Sequence, residues 1–285
     1  MEVVTFIQQC WGDDTNSNCH RFPGPQPVSI ERRHFPLLTR QPYFVCEKTD
    51  GTRHFLVSMD SGIFLVNRAF DIAKVQGVRV PKDTLLDGEL VKTRSGKTLF
   101  LVFDAMRIKG ESLMVQPLNS RLEKARAVVK GIIKTASAPF EMRVKTMVPL
   151  GSPIQDLNSF DYETDGLVFT PVEEPIRTGT HETLFKWKPH DRITVDFELK
   201  LGKDLYVQDR GIPYKEAELH VQNQKKDLPD GTIVECGYGD LGWFVEKIRT
   251  DKTYANNRRT YFRTCVNLRE RILLEEFAGV NSKSA

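Results

Sequence analysis

From Tyr43 onward, apolar and β-prone residues come in short runs set apart by Gly, Asp or Lys turns. Runs at 43–47, 54–58, 63–66, 85–92 and 99–104, each four to eight residues long, are the expected strands. The pattern changes at Ser120–Lys130, where apolar residues at 122, 125, 128 and 129 follow helical spacing. Ser120 is the expected N-cap there, with Glu123 completing a capping box. Strands resume at 141–148, 166–170 and 184–188, with a brief helix expected at Ile154–Leu157. Upstream, Val3–Ile7 is a short apolar run, 13–18 and 23–27 read as loops, and a short helix is expected over Glu31–Leu38.

From Thr194, runs at 204–208, 216–221, 231–236 and 242–248 give five short strands, the number that closes a small barrel of the OB type. A last helix, capped by Asn256 or Asn257, is expected to run to about Glu276. The fold class is therefore α+β, rich in antiparallel sheet. The expected domains are 1–195 and a smaller C-terminal barrel with its helix, 196–285.

Composition changes this picture little. The 285 residues are 40% hydrophobic and 28% charged, an ordinary globular balance with material for a sizeable core. A net charge of +3 is compatible with a polyanionic partner without requiring one. The five cysteines, Cys10, Cys19, Cys46, Cys236 and Cys265, are scattered in neither a zinc pattern nor a disulfide framework, which favours a reducing compartment. No apolar run approaches a membrane span, and the N-terminus lacks the make-up of a signal peptide.

Chemistry enters at Lys48-Thr49-Asp50-Gly51-Thr52-Arg53, an Asp-Gly corner between two β-prone runs, which by itself signals only a hairpin. Later segments enlarge its meaning. Leu85-Leu86-Asp87-Gly88-Glu89-Leu90-Val91 sets Glu89 among apolar strand residues, where an unpaired carboxylate is costly. Thr164-Asp165-Gly166-Leu167-Val168-Phe169 repeats the acid–glycine entry. In Leu184-Phe185-Lys186-Trp187-Lys188-Pro189, strand alternation puts Lys186 and Lys188 on one face, where they repel unless an anion lies between them. Arg249-Thr250-Asp251-Lys252 follows another apolar strand. Carboxylates on separate strands suit a hard divalent cation, and paired cations suit phosphate oxygens. A lysine nucleophile attacks as the neutral amine, a form that nearby cations favour. There is no glycine-rich phosphate loop, so side chains would have to hold the phosphates.

In this order, Lys48–Arg53, Asp87–Val91, Asp165–Val168 and Lys186–Pro189 resemble the covalent nucleotidyltransferases, the superfamily of nucleic-acid ligases and mRNA capping enzymes. Phe100–Ala105, Thr194–Phe197 and Arg249–Lys252 make the chain similar, over about 28–275, to the GTP:RNA guanylyltransferases of mRNA capping. The resemblance implies a nucleotidyltransferase domain followed by an OB domain. It implies that Lys48 attacks the α-phosphate of GTP, forms lysyl-N-GMP and passes GMP to a 5′-diphosphate RNA end. Arg53 and Arg68 would bind ribose and phosphate, Glu89 and Asp165 would sit by the ribose or a divalent metal (Mg2+ or Mn2+), and Phe103 would stack on the base. Lys186 and Lys188 would contact phosphates, and Lys145 would face guanine O6. Asp196 would assist from the hinge, and Arg249, Asp251 and Lys252 would reach the β- and γ-phosphates on domain closure. It also implies a nuclear enzyme with its RNA triphosphatase and cap methyltransferase on separate chains, and the phosphorylated tail of RNA polymerase II as a docking partner. The competing readings are an ATP-dependent polynucleotide ligase and a non-catalytic OB-containing RNA-binding scaffold.

Overall fold

The computed structural model describes residues 2–12, 22–225 and 227–280. The loop expected at 13–18 and Cys19 lie outside the described residues. Two compact units divide the chain: Met1–Val28, Phe35–Lys186 and Phe277–Ala285 form one, and Ser29–His34 with Trp187–Glu276 form the other. The chain thus passes between units at Lys186/Trp187, ahead of the 195/196 boundary expected from the sequence, and a short upstream segment joins the second unit.

Up to Trp187 the elements are α1 (Glu2–Trp11), β1 (Gln26–Ser29), α2 (Phe35–Arg40), β2 (Tyr43–Thr49), β3 (Thr52–Met59), β4 (Gly62–Asn67), β5 (Ile72–Val75), β6 (Val78–Arg79), β7 (Thr84–Lys92), β8 (Thr98–Ile108), β9 (Glu111–Ser112), α3 (Leu118–Lys130), β10 (Ile133–Lys134), β11 (Glu141–Val144), β12 (Val148–Pro149), β13 (Thr164–Pro171) and β14 (Thr180–Trp187). They build a five-stranded sheet, β1-β14-β13-β2-β12, and a seven-stranded sheet, β11-β8-β7-β3-β4-β5 with β9 paired to β8. Strands β2 and β3 therefore do not form the hairpin that Asp50-Gly51 suggests. The chain leaves one sheet and enters the other at that corner. Gly51 is required there by close approach, because a Cβ would lie 2.4 Å from the Leu90 carbonyl oxygen and 2.6 Å from Val91.

Alternation on β3 explains how the seven-stranded sheet is buried on both faces. Leu56 faces one core with Leu86, Phe100 and Val102, and α3 covers it through Ala125 and Val128. Phe55 and Val57 face the other with Val66, Leu85 and Met106, covered by Val3, Ile7 and Cys10 of α1. The apolar run at the N-terminus is thus one stripe of an amphipathic helix. Each fully buried large side chain contributes about 1.5–3 kcal/mol, so both layers matter. Helix α3 links β8 to the parallel strand β11. It begins at Leu118 rather than after Ser120, because Leu118 is itself buried; Pro117 holds the cap position, and Ser120 Oγ donates to Gln116 Oε1 at 2.9 Å. The helix expected at 154–157 is a single 3-10 turn at Leu157–Ser159, capped by Asp156.

From Thr194 the elements are β15 (Thr194–Lys200), β16 (Asp204–Asp209), β17 (Ile212–Glu218), β18 (Thr232–Gly239), β19 (Gly242–Ile248), α4 (Arg258–Glu270) and α5 (Glu275–Ala278). The five strands pair in the order β17-β16-β15-β18-β19, and a bridge from Leu219 to Trp243 joins the outer strands into a small barrel. Its core holds Val195, Phe197, Val207, Val234 and Trp243, with Tyr261 and Leu268 of α4. Trp243 packs edge-on to Phe197 at 5.1 Å, as expected of a barrel residue. Strand β17 lies upstream of the expected 216–221. Asn257 caps α4 by accepting from the Arg259 amide, but the helix stops at Glu270, where Arg271 turns left-handed (φ 44°).

Candidate active site

Lys48 lies on β2 at the wall of a cavity of about 170 Å³ bounded by strands of both sheets. The five-stranded sheet supplies Cys46 and Lys48 from β2, Val168 and Thr170 from β13 and Leu184 from β14. Across from them stand Arg53, Asp87, Glu89, Phe103 and Asp104 of β3, β7 and β8, with Arg68, Lys145 and Met147 from the connecting segments. The spacing of Cys46 and Lys48 is the two-residue period of a strand face. Of the expected site residues, Lys48, Arg53, Arg68, Glu89, Phe103 and Lys145 thus share one cavity.

Two bulges do part of this gathering. Thr164 pairs with Thr49 and Gly166 with Lys48, which leaves Asp165 as the extra residue beside the lysine. Its Oδ1 accepts from Lys48 Nζ at 2.6 Å. Asp87 pairs with Asp104 and Gly88 with Val102, so Phe103 is the extra residue on β8. A bulge breaks the alternation of sides, and consecutive residues Phe103 and Asp104 both line the cavity. Gly88 permits this, since a Cβ there would lie 2.6 Å from Phe100 and 2.9 Å from the Leu101 carbonyl.

Arg53 is anchored to the protein by three hydrogen bonds. Its Nε and one terminal nitrogen donate to the two oxygens of Asp87 at 2.9 and 2.6 Å, and the other terminal nitrogen donates to the Pro25 carbonyl at 2.6 Å. The guanidinium lies between the rings of Phe22 and Phe103, 5.2 and 5.3 Å from their centroids. Asp87 is fully buried; burial raises its pKa, and the Arg53 charge opposes that rise. Asp104 is held by Arg121 of α3 at 2.7 and 2.9 Å. Burial, with the neighbouring Arg53 charge, lowers the pKa of Arg68 from the usual arginine value. Glu89 Oε2 accepts from Thr49 Oγ1. Lys145, also buried, donates to Thr49 Oγ1 at 2.9 Å and to the Glu47 carbonyl at 3.0 Å.

The remaining expected residues lie elsewhere. Phe185 and Trp187 are buried while Lys186 and Lys188 are partly exposed, as alternation requires. The cavity wall from β14 is formed by Leu184, and Lys188 belongs to the second unit. Within that unit Asp196, Arg249, Asp251 and Lys252 meet in one cluster. Asp196 accepts from Arg249 at 2.9 Å and from Lys252, and Arg249 also donates to Asp251 at 2.8 Å. The bond to Asp251 and the charge of Asp196 raise Arg249 above its ordinary range, and Arg249 in turn holds Asp251 well below the usual carboxylate range. Asp87, Asp104 and Thr49 were missed as cavity residues. Asp87-Gly88 lies inside β7, within the run 85–92 expected to be a strand.

Among the described residues, no three His, Cys, Asp or Glu side chains converge as a metal centre. Glu89 and Asp165 offer only oxygen. Carboxylate oxygens of this kind are a donor set that fits a hard divalent cation. No helix among the described residues is long and apolar enough to cross a membrane.

A family model described as mRNA capping enzyme, catalytic domain, matches residues 3–190, and one described as mRNA capping enzyme, C-terminal domain, matches 157–278. The mRNA-capping enzyme subunit alpha of Candida glabrata is 34% identical over 220 residues, 63% of this chain and 49% of that protein. The protein of the same name from Yarrowia lipolytica is 32% identical over 295 residues, 82% of this chain and 75% of that one. The mRNA-capping enzyme of Danio rerio is 26% identical over 293 residues, 89% of this chain and 48% of that protein. The chain spans about half the length of most of these curated relatives. Among solved structures, a mycobacterial DNA ligase D complexed with ATP and MES is 12% identical, with a TM-score of 0.49, covering 81% of this chain and 96% of that one.

Proposed function

The chain belongs to the mRNA capping enzyme family, and on that premise we propose that it is a GTP:RNA guanylyltransferase acting through Lys48. The observation that carries this reading is Lys48 Nζ, 2.6 Å from Asp165 on the wall of a cavity that also holds Glu89, Arg68 and Phe103. Lys48 attacks as the neutral amine, so its proton must leave, and Asp165 is an acceptor within hydrogen-bond reach. In the first step the Nζ–P bond to the α-phosphorus forms, the bond to the bridging oxygen breaks, and pyrophosphate departs. In the second, a terminal oxygen of a 5′-diphosphate RNA end attacks that phosphorus, the P–N bond breaks, and Lys48 recovers its proton. The product is the 5′–5′ triphosphate cap.

Phe103 offers a ring for the base, and Arg68 a cation for ribose or phosphate. Arg53 supports the site by fixing Asp87 and Phe103 rather than by direct capture of the nucleotide. Glu89 and Asp165 are the residues that would hold a divalent cation, which when bound neutralises phosphate charge. Lys186, and in the second unit Lys188, Arg249 and Lys252, carry further positive charge of a kind suited to phosphate oxygens. An RNA triphosphatase activity must act before this one and a cap methyltransferase after it. The nucleus, on the phosphorylated tail of RNA polymerase II, is the setting this role calls for.

The test is to incubate the protein with α-labelled GTP or ATP and Mg2+ or Mn2+, denature it, and look for covalent label. Label from GTP that disappears in Lys48→Ala is the expected result. Label from ATP alone would make the chain a ligase-type adenylyltransferase, and no label from either would leave an RNA-binding scaffold.

A further inference from the structure

The polar groups beside Lys48 form a chain of hydrogen bonds whose direction is fixed by chemistry. Lys145 Nζ donates to Thr49 Oγ1 at 2.9 Å and to the Glu47 carbonyl at 3.0 Å, and faces the Glu47 carboxylate at 3.5 Å. Tyr162 Oη donates to that same carboxylate at 3.0 Å. An ammonium has no acceptor, and a hydroxyl has one hydrogen. Thr49 must therefore accept from Lys145, and its own hydrogen goes to Glu89 Oε2. Glu47, Thr49, Lys145 and Tyr162 are each at least 93% buried, so a lost bond among them is costly. Thr49 and Lys145 border the cavity with Lys48 and Glu89, and Glu47, Tyr162 and again Lys145 line a second cavity of about 370 Å³.

We propose that Thr49 is a positioning residue of nucleotidyl transfer. It presents Glu89 to the ribose or the divalent cation, and is itself oriented by Lys145, which Glu47 and Tyr162 hold in place. The inference rests on the guanylyltransferase reading. It assigns Lys145 an action through Thr49 and Glu89, because the ammonium directs its bonds toward the protein. Glu47 and Tyr162 are then distant supports of the transfer step, reached through a buried ion pair.

The experiment measures formation of lysyl-GMP from labelled GTP, with kcat and KM separated over a range of GTP and Mn2+ concentrations. The proteins compared are the wild type, Thr49→Val, Thr49→Ser, Glu89→Gln and the double variant Thr49→Val/Glu89→Gln, with urea unfolding of each as the control for folding. Thr49→Val is expected to lose about 10–100-fold in kcat/KM, the loss typical when a supporting partner of a ligand is removed. Thr49→Ser, which keeps the hydroxyl, should retain most of the activity. In the Glu89→Gln background Thr49→Val should cost little further, since without the Glu89 charge there is no carboxylate for Thr49 to present. A folded Thr49→Val enzyme with wild-type kinetics overturns the proposal. So does an undiminished additional loss in the Glu89→Gln background, or failure of the serine variant to rescue. Absence of label in the wild type would overturn the guanylyltransferase reading and this role together, whereas a labelled wild type with unaffected Thr49→Val overturns this role alone.

Discussion

Replacing Arg53 with Met separates a residue that binds nucleotide from one that holds the site together. The change removes both bonds to Asp87 and the one to the Pro25 carbonyl, and leaves the Asp87 carboxylate buried without its partner. Breaking one side of a buried ion pair costs about 3–5 kcal/mol. Loss of the cation between the Phe22 and Phe103 rings costs a further ~0.5–2 kcal/mol, of which methionine's contact with the same rings restores ~0.3–1.5 kcal/mol. The expected deficit at pH 7 is therefore about 3–5 kcal/mol, a fall of roughly 6–20 °C in Tm for a unit of this size. Its pH dependence has a definite sign. Asp87 already has a raised pKa from burial, and without Arg53 only the weaker effect of the Arg68 charge opposes that rise. A carboxyl with a raised folded-state pKa contributes most below its unfolded value of about 3.9, and that contribution is lost as pH rises through the folded value. The deficit should accordingly shrink as the pH is lowered from 7 toward 4.

Urea unfolding of wild type and variant across that range, read by intrinsic fluorescence, measures both quantities. The double variant Arg53→Met/Asp87→Leu should recover more than half of the loss, because no buried charge remains unpaired. A deficit at pH 7 below about 1 kcal/mol, or one unchanged on acidification, would refute the structural role and return Arg53 to direct nucleotide binding.

Two further outcomes follow from the same geometry. Gly51→Ala forces a methyl group against the Leu90 carbonyl at 2.4 Å and Glu89 Cγ at 2.9 Å; it should destabilise the protein by about 1–3 kcal/mol and lower covalent labelling of Lys48, and unchanged urea unfolding would contradict the close approach. Asp196→Ala removes the carboxylate that ties Arg249 and Lys252 to β15; it should cost about 1.5–3 kcal/mol in urea unfolding, and no measurable cost would show the cluster to be an exposed pairing of no consequence.

The strands around Lys48 were legible from short β-prone runs bounded by turn residues rather than from a strict period. On β2, Tyr43, Val45, Cys46, Glu47 and Thr49 are buried, and only Phe44 and Lys48 are partly exposed. The assignment of strands to sheets was not legible. Asp50-Gly51 encodes a local change of direction, and whether β3 then pairs with β2 or with β7 depends on residues far along the chain, such as Leu86 opposite Leu56. The bulge at Phe103 was hidden for a related reason. In Phe100–Ala105 every residue but Asp104 is apolar, so no period shows which side each takes. Asp104 itself is explained only by Arg121, a charged residue on the buried face of α3, three residues after Leu118 and four before Ala125. Helix α1 was readable in part: Val3, Ile7 and Cys10 have helical spacing, but the adjacent apolar residues obscured it.

The three acid–glycine pairs carry a lesson about how such a site is assembled. A regular strand sends alternate residues to opposite sides, so strands of two sheets in strict alternation present few neighbouring side chains to one small cavity. Asp50-Gly51, Asp87-Gly88 and Asp165-Gly166 all resemble turns, and none of them is a hairpin turn. The first lets the chain change sheets immediately after Lys48. The second lies at the bulge that brings both Phe103 and Asp104 to the cavity, one residue before Glu89. The third lies at the bulge that turns Asp165 toward Lys48, with Gly166 at φ 149°, a conformation that L side chains rarely adopt. In each case glycine relieves a crowding or torsional constraint, and the neighbouring residue reaches a position that alternation alone would deny it. The surroundings of Lys48 thus depend on where the sheets depart from regularity as much as on the strands that carry it.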